Sequence, residues 1–149
     1  MEKQLEVSEG VKFQEAVVEW LRLKCPATQF HPHADPMSKF DYYCVSSSGN
    51  AFFLEIKGRR GMSYTEYDDV MLPKPKVDYL LGTSLTGLML TIYRDGACLT
   101  DLRNDKVKKV EDVDRLNKDE RHDPDNRTHI FYYKAHRLLW DGPILGGLK

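Results

Sequence analysis

Asp41, Glu55 and Lys57 fall within one short stretch, KFDYYCVSSSGNAFFLEIKGRR, that runs from Lys39 to Arg60. The aspartate opens one expected strand and the Glu-x-Lys closes the next, with a polar turn between them. Phosphodiester hydrolysis needs these parts: two carboxylates to hold a divalent cation and an ammonium beside them to handle the attacking water. Asp41 and Glu55 supply hard oxygen ligands, and the Ile56 backbone carbonyl is a candidate third. Lys57 lies two residues beyond Glu55, so in a strand both side chains leave the same face. Beside a metal and a buried wall its pKa falls far enough to share a proton; the alternative is that it stays charged and stabilises the transition state.

Strand pairing sets a condition on this grouping. A two-residue turn at Ser48-Gly49 would put Asp41 opposite Ile56 and on the wrong face, because a one-residue slip reverses every side chain. A three-residue turn pairs Asp41 with Lys57 and a five-residue turn pairs it with Glu55. The grouping therefore requires an odd-length connection or a bulge.

Other elements must hold this hairpin. Phe13, Ala16, Val17, Trp20 and Leu21 recur at three- and four-residue steps, which predicts a helix from about Glu9 to Lys24 with Ser8 as N-cap and Pro26 as its stop. Thr28 to His31 suits a short edge strand. Phe40 to Ser46 and Ala51 to Lys57 form the expected hairpin around Ser47 to Asn50. After Gly58 an irregular loop is expected through Tyr64, Tyr67 and Asp69, and a helix follows from Pro75 to about Leu81, ended by Gly82. Gly87 to Arg94 and Ala97 to Leu102 alternate around Asp95-Gly96, a hairpin signal. Expected beyond them are a short helix from Val110 to Asn117, a polar loop at Asp123-Pro124-Asp125, a last strand at Ile130 to Tyr133 and a terminal helix or turn from Ala135 to Trp140.

The chain has 149 residues and no repeat or linker, which suits one domain spanning 1–149. No apolar run approaches the roughly 18 residues of a membrane span. The start, MEKQLEVSEG, does not read as a secretion signal. Cys25, Cys44 and Cys98 are far apart and odd in number, which favours buried free thiols over disulfides or a zinc site. A cytoplasmic location follows, the host cytoplasm if the protein is viral. The net charge of −1 argues mildly against a protein that lives on DNA, although Lys57, Arg59 and Arg60 cluster, Lys74 and Lys76 follow, and the acids gather between Glu111 and Asp125.

The same residues resemble the PD-(D/E)xK nuclease superfamily, with Asp41 matching the signature aspartate, Glu55 the acidic residue and Lys57 the lysine. The segment FFLEIKGRR is similar to the strand that carries the family's motif, and YDDVMLPKPKVDYLL resembles the segment after it in Holliday-junction-resolvase-like and phage-type small endonucleases. The resemblance covers about residues 8 to 102; Phe40 stands where a proline often precedes the aspartate. It implies an α/β, restriction-endonuclease-like core in αβββαβ order, with a mixed central sheet flanked by helices. It also implies Mg²⁺ or Mn²⁺ as cofactor, no organic cofactor, no membrane, DNA as partner, and a homodimer that cuts both strands. A helical glutamate that reaches the metal through water would be Glu15, with Glu19 or Gln14 as rivals. From the helix after the motif, Lys76 would face the site, with Lys74 second, and Arg59 and Arg60 would grip the DNA backbone. The implied activity is a metal-dependent DNA endonuclease, structure-selective for junctions or branches, with roles in repair or recombination. The alternative is a catalytically inactive nucleic-acid-binding module of the same fold.

Plainer readings stand beside these. Solvated charges on an exposed strand face would produce the same Asp41, Glu55 and Lys57 pattern by chance. His31 and His33 alternate around Pro32, and a surface or capping role suits them better than zinc. Tyr64 and Tyr67 either stack on an unpaired base or pack a loop. Lys106, Lys108 and Lys109 either touch DNA or solvate a turn. His122, His129 and His136 have no metal-ligand spacing.

Overall fold

The computed structural model describes residues 2–32, 40–66, 69–112, 128–133 and 137–144. Helix α1 spans Glu2–Lys24 and begins well before Ser8, so that serine lies within the helix and is not its cap. The apolar period marks only the stretch that packs; the Glu, Lys, Gln and Leu residues ahead of it are good helix formers that carry no such stripe.

A six-stranded mixed sheet forms the centre. Strands β1 (Gln29–Pro32), β2 (Tyr42–Val45) and β3 (Ala51–Arg59) run antiparallel in sequence. The chain then crosses over through β4 (Asp69–Pro73) and α2 (Lys74–Leu81) to β5 (Thr86–Tyr93), which lies parallel to β3. Strand β6 (Gly96–Asp101) pairs antiparallel with β5 and β9 (Leu138–Asp141) with β6, giving the order β1-β2-β3-β5-β6-β9. Strands β7 (Val107–Asp112) and β8 (Thr128–Tyr133) join β4 in a separate antiparallel sheet, ordered β4-β8-β7. The general class is α/β with a mixed sheet, as expected, but one face of that sheet is covered by a second sheet as well as a helix.

Four expectations change. Asp69 is the first residue of a strand, not part of an irregular loop. The β5–β6 hairpin closes at Tyr93 opposite Gly96, which makes Arg94 and Asp95 its two-residue turn instead of Asp95-Gly96. The expected helix from Val110 begins inside β7, and residues 113–117 lie outside the described residues. Strand β7 pairs with β8 from Val107 to Asp112, with a register irregularity between Val107 and Lys109, so Val110 to Asp112 take extended backbone from a partner distant in the sequence. Finally, residues 138–141 are strand, not a terminal helix or turn, and the strand at 128–133 is not the last. His33, Tyr67, His122, His136 and the loop at 123–125 lie outside the described residues.

Alternation along β3 divides the interior in two. Leu54 and Ile56 pack with Val17, Val18 and Leu21 of α1, together with Leu90 and Ile92 of β5. On the opposite face Phe53 packs with Val70 and Leu72 of β4, Val77 and Leu80 of α2, and Ile130 and Tyr132 of β8. Helix α2 comes close to β5 at Gly87, where an added Cβ would lie 2.6 Å from a methyl of the fully buried Leu80. Arg103 ties the end of α2 down by donating to the carbonyls of Leu80, Thr83 and Leu85. Cys44 and Cys98 are buried outside any disulfide, as expected, whereas Cys25, also outside any disulfide, is exposed. Among the described residues no helix is long and apolar enough to cross a membrane.

Candidate functional site

The β2–β3 connection fixes the parity on which the site depends. Tyr42 pairs with Leu54 and Val45 with Ala51, leaving residues 46–50 as the link. Ser46 and Gly49 close it: the Ser46 amide donates to the Asn50 carbonyl at 2.9 Å, the Gly49 amide to the Ser46 carbonyl at 2.9 Å, and Gly49 takes a φ of 84°. That left-handed value suits a residue without a Cβ. The connection is odd in length, and one step beyond Tyr42 it brings Asp41 across from Glu55. Asp41 sits in the bend just before β2, and its Oδ2 accepts the Ile56 amide at 2.9 Å. It is the amide of Ile56, not its carbonyl, that meets the aspartate.

Glu55 faces the interior between the two sheets, with only 12% of its side chain exposed. Its Oε2 accepts from Lys76 Nζ, its Oε1 is buried with no donor, and the carboxyl lies within hydrogen-bonding reach of Asp41, a contact that needs a proton on one of the two acids. Burial, reinforced by the negative charge of Asp41, pushes the carboxyl up to about 7 although Lys76 pulls the other way. Lys57 leaves β3 on the same face and donates to the Met71 carbonyl of β4 at 3.3 Å. Burial, aided by the positive charge of Arg59, brings its ammonium down to about 8, while Glu55 and Asp69 oppose the change. Each group is therefore held in surroundings that disfavour its charge, a condition concentrated at functional sites.

The structure gathers Asp41, Glu55, Lys57 and Lys76 and leaves other candidates apart. Arg59 shares the face of Glu55 and reaches the Asp69 carbonyl at 3.4 Å. Arg60 is turned toward α1, with its guanidinium 4.4 Å from the Phe13 ring centre. Lys74 makes an exposed pair with Asp78 at 2.6 Å, one helical turn away along α2. Glu15 is exposed on α1, against the other face of the sheet; its charge is felt by the buried Tyr42 hydroxyl. Glu19 pairs with Arg22 at 3.0 Å. Among the described residues no group of three acidic, imidazole or thiol side chains is positioned for a metal, so Glu15 is not brought to Asp41 and Glu55. His31 contacts Gln29 at 3.1 Å and Tyr64 donates to Asp141 at 3.3 Å.

Two neighbours of the site escaped the sequence reading. Asp69 pairs with Lys108 of β7 at 3.1 Å and lies close enough to Lys57 to influence its proton. Met71 supplies the carbonyl that holds Lys57. The available signal was the apolar run Val70-Met71-Leu72, too short for its periodicity to separate strand from helix, although burial in the structure alternates along it. Compared with models of protein families, with curated proteins and with solved structures, the chain matches none.

Proposed function

We propose that the chain is a Mg²⁺- or Mn²⁺-dependent DNA endonuclease. The observation that carries this reading is the buried Oε1 of Glu55, which no donor satisfies, beside the Asp41 carboxyl, with two ammonium groups converging on the same face. Two hard-oxygen donors in cross-strand register, one with an unsatisfied oxygen, fit what Mg²⁺ accepts. A restriction-endonuclease-like core is supported by the element order, in which a helix and three antiparallel strands precede a helical crossover to a strand parallel to β3.

Asp41 and Glu55 would hold the cation, which would supply Lewis acidity toward the phosphoryl oxygen and the attacking water. Lys57 orients the water for in-line attack and, titrating near 8, gives or takes its proton at small cost near neutral pH. Lys76, paired with Glu55, places a positive charge beside the phosphate. Arg59 grips the flanking backbone. DNA as partner, pairing of two copies and a cytoplasmic location belong to this reading by analogy with small nucleases.

One observation favours the second reading, an inactive nucleic-acid-binding module: Lys76 already neutralises Glu55. Branched, linear and single-stranded DNA incubated with Mg²⁺ or Mn²⁺ separates the two. Cleavage abolished by Lys57→Ala supports the nuclease; equal cleavage by the variant removes Lys57 from the mechanism. Binding without cleavage by the wild-type protein supports the module.

A further inference from the structure

Along the face that carries the acids, the next residues toward the turn are aromatic. Tyr43 follows Asp41 by two residues on the β2 side, and Phe53 precedes Glu55 by two on β3; the two rings are cross-strand partners with centres 6.2 Å apart. Tyr79, one turn after Lys76 on α2, closes over Phe53 at 5.7 Å. Phe40 stacks on Phe53 from beneath at 5.1 Å and 12°. Phe40 and Phe53 are buried, but Tyr43 and Tyr79 remain 37% and 45% exposed. The three elements that bring Asp41, Glu55 and Lys76 together thus also set two open tyrosine rings against one buried phenylalanine, Phe53, itself stacked on Phe40.

Accepting the nuclease reading of the site, we infer that Tyr43 and Tyr79 form a stacking platform for an unpaired nucleobase next to the scissile phosphate, so that the substrate is a single-stranded or locally unpaired DNA segment. A base inside a duplex is covered on both faces by its neighbours, whereas an unstacked base offers a free π-face to an aromatic side chain. Two residues of strand span roughly 7 Å. A base seated on the tyrosines therefore belongs to a nucleotide at, or next to, the phosphate held by the charged groups. Tyr79 packs on both Phe40 and Phe53 and Tyr43 on Phe53, which reduces the side-chain freedom that stacking would cost. Lys76 reads the phosphate and Tyr79 the base from adjacent turns of one helix.

The test is fluorescence anisotropy in EDTA with a labelled strand, alone and annealed to its complement, using the wild-type protein, Tyr79→Leu, Tyr43→Leu and Tyr79→Phe. Circular dichroism verifies that each is folded. The unpaired strand should bind the wild-type protein more tightly than the duplex. Tyr79→Leu and Tyr43→Leu should weaken that binding by about 5- to 100-fold, with the duplex affected less, and Tyr79→Phe should retain it because the ring is kept. Folded leucine variants that bind the unpaired strand as tightly as the wild-type protein overturn the platform, as does a wild-type preference for duplex. Cleavage assays on the same preparations keep the two ideas apart. Cleavage lost in Lys57→Ala together with unchanged strand preference in the leucine variants overturns the platform and leaves the nuclease standing. Strand binding lost in Tyr79→Leu, without any wild-type cleavage, supports the platform and overturns the nuclease. No wild-type binding to either DNA overturns the platform, and the nuclease reading then stands or falls on wild-type cleavage with Mg²⁺ or Mn²⁺.

Discussion

Replacing Glu55 by glutamine removes a charge that the fold holds at a disadvantage. Carrying this carboxyl from its ordinary 4.5 to about 7 disfavours its ionised form by about 3 kcal/mol in the folded protein. Because the folded pKa is the higher one, the native state binds more protons than the unfolded chain between those values. The wild-type protein is thus favoured by this group below about pH 4.5 and loses that advantage as pH rises to about 7. Glutamine does not titrate and keeps the shape, so groups that do not interact with Glu55 cancel in a comparison of the two proteins, and the same comparison made in a Lys57→Met background removes the coupled lysine. Urea unfolding of wild type and Glu55→Gln, without added metal, at several values from pH 5 to 8 reads the difference directly. The stability of the wild-type protein relative to the variant should fall by about 3 kcal/mol across that window and level off above it. A difference that stays the same at both ends would mean that Glu55 is an ordinary carboxylate, and the unsatisfied Oε1 would lose its significance.

Lys57 titrates in the opposite sense. Its folded value of about 8 lies below the ordinary 10.5, so stability relative to Lys57→Met should rise by up to about 3 kcal/mol as pH increases between them, again by urea unfolding; a flat difference would contradict its burial. Gly87→Ala should destabilise by about 1–3 kcal/mol, since the new methyl meets the methyls of the fully buried Leu80 and that side chain must shift within the core; an unchanged melting temperature would contradict the close packing of α2 on β5.

Much of the charged cluster was legible in the sequence because local rules govern it. Glu55 and Lys57 share a face by strand period alone, whereas the parity that turns Asp41 toward them comes from the pairing of Val45 with Ala51, which makes the link one residue longer than the expected turn of Ser47 to Asn50. Pro75 and Gly82 bracket the helix that delivers Lys76. What stayed hidden depends on partners distant in the chain. Strands β4 and β7 exist because their backbones pair with β8. Arg60 looked like a companion of Arg59, yet one residue along a strand reverses direction and sends it to Phe13. Glu15 has the residue type of a helical metal ligand, but its position opposite the apolar stripe leaves it exposed on the far side of the sheet. The aromatic neighbours show the same division. Tyr43 and Phe53 could be paired once the register was known, whereas Tyr79 joins them only through the docking of α2.

The central claim is that Asp41 and Glu55 form one cation site, and calorimetric titration of Mn²⁺ into the wild-type protein, Asp41→Asn and Glu55→Gln at about pH 8 tests it most directly. At that pH Glu55 is mostly ionised, since it titrates at about 7. The wild-type protein should bind Mn²⁺ saturably, and each variant should lose that binding while remaining folded. Absence of binding by the wild-type protein, or equal binding by the two folded variants, would contradict the site.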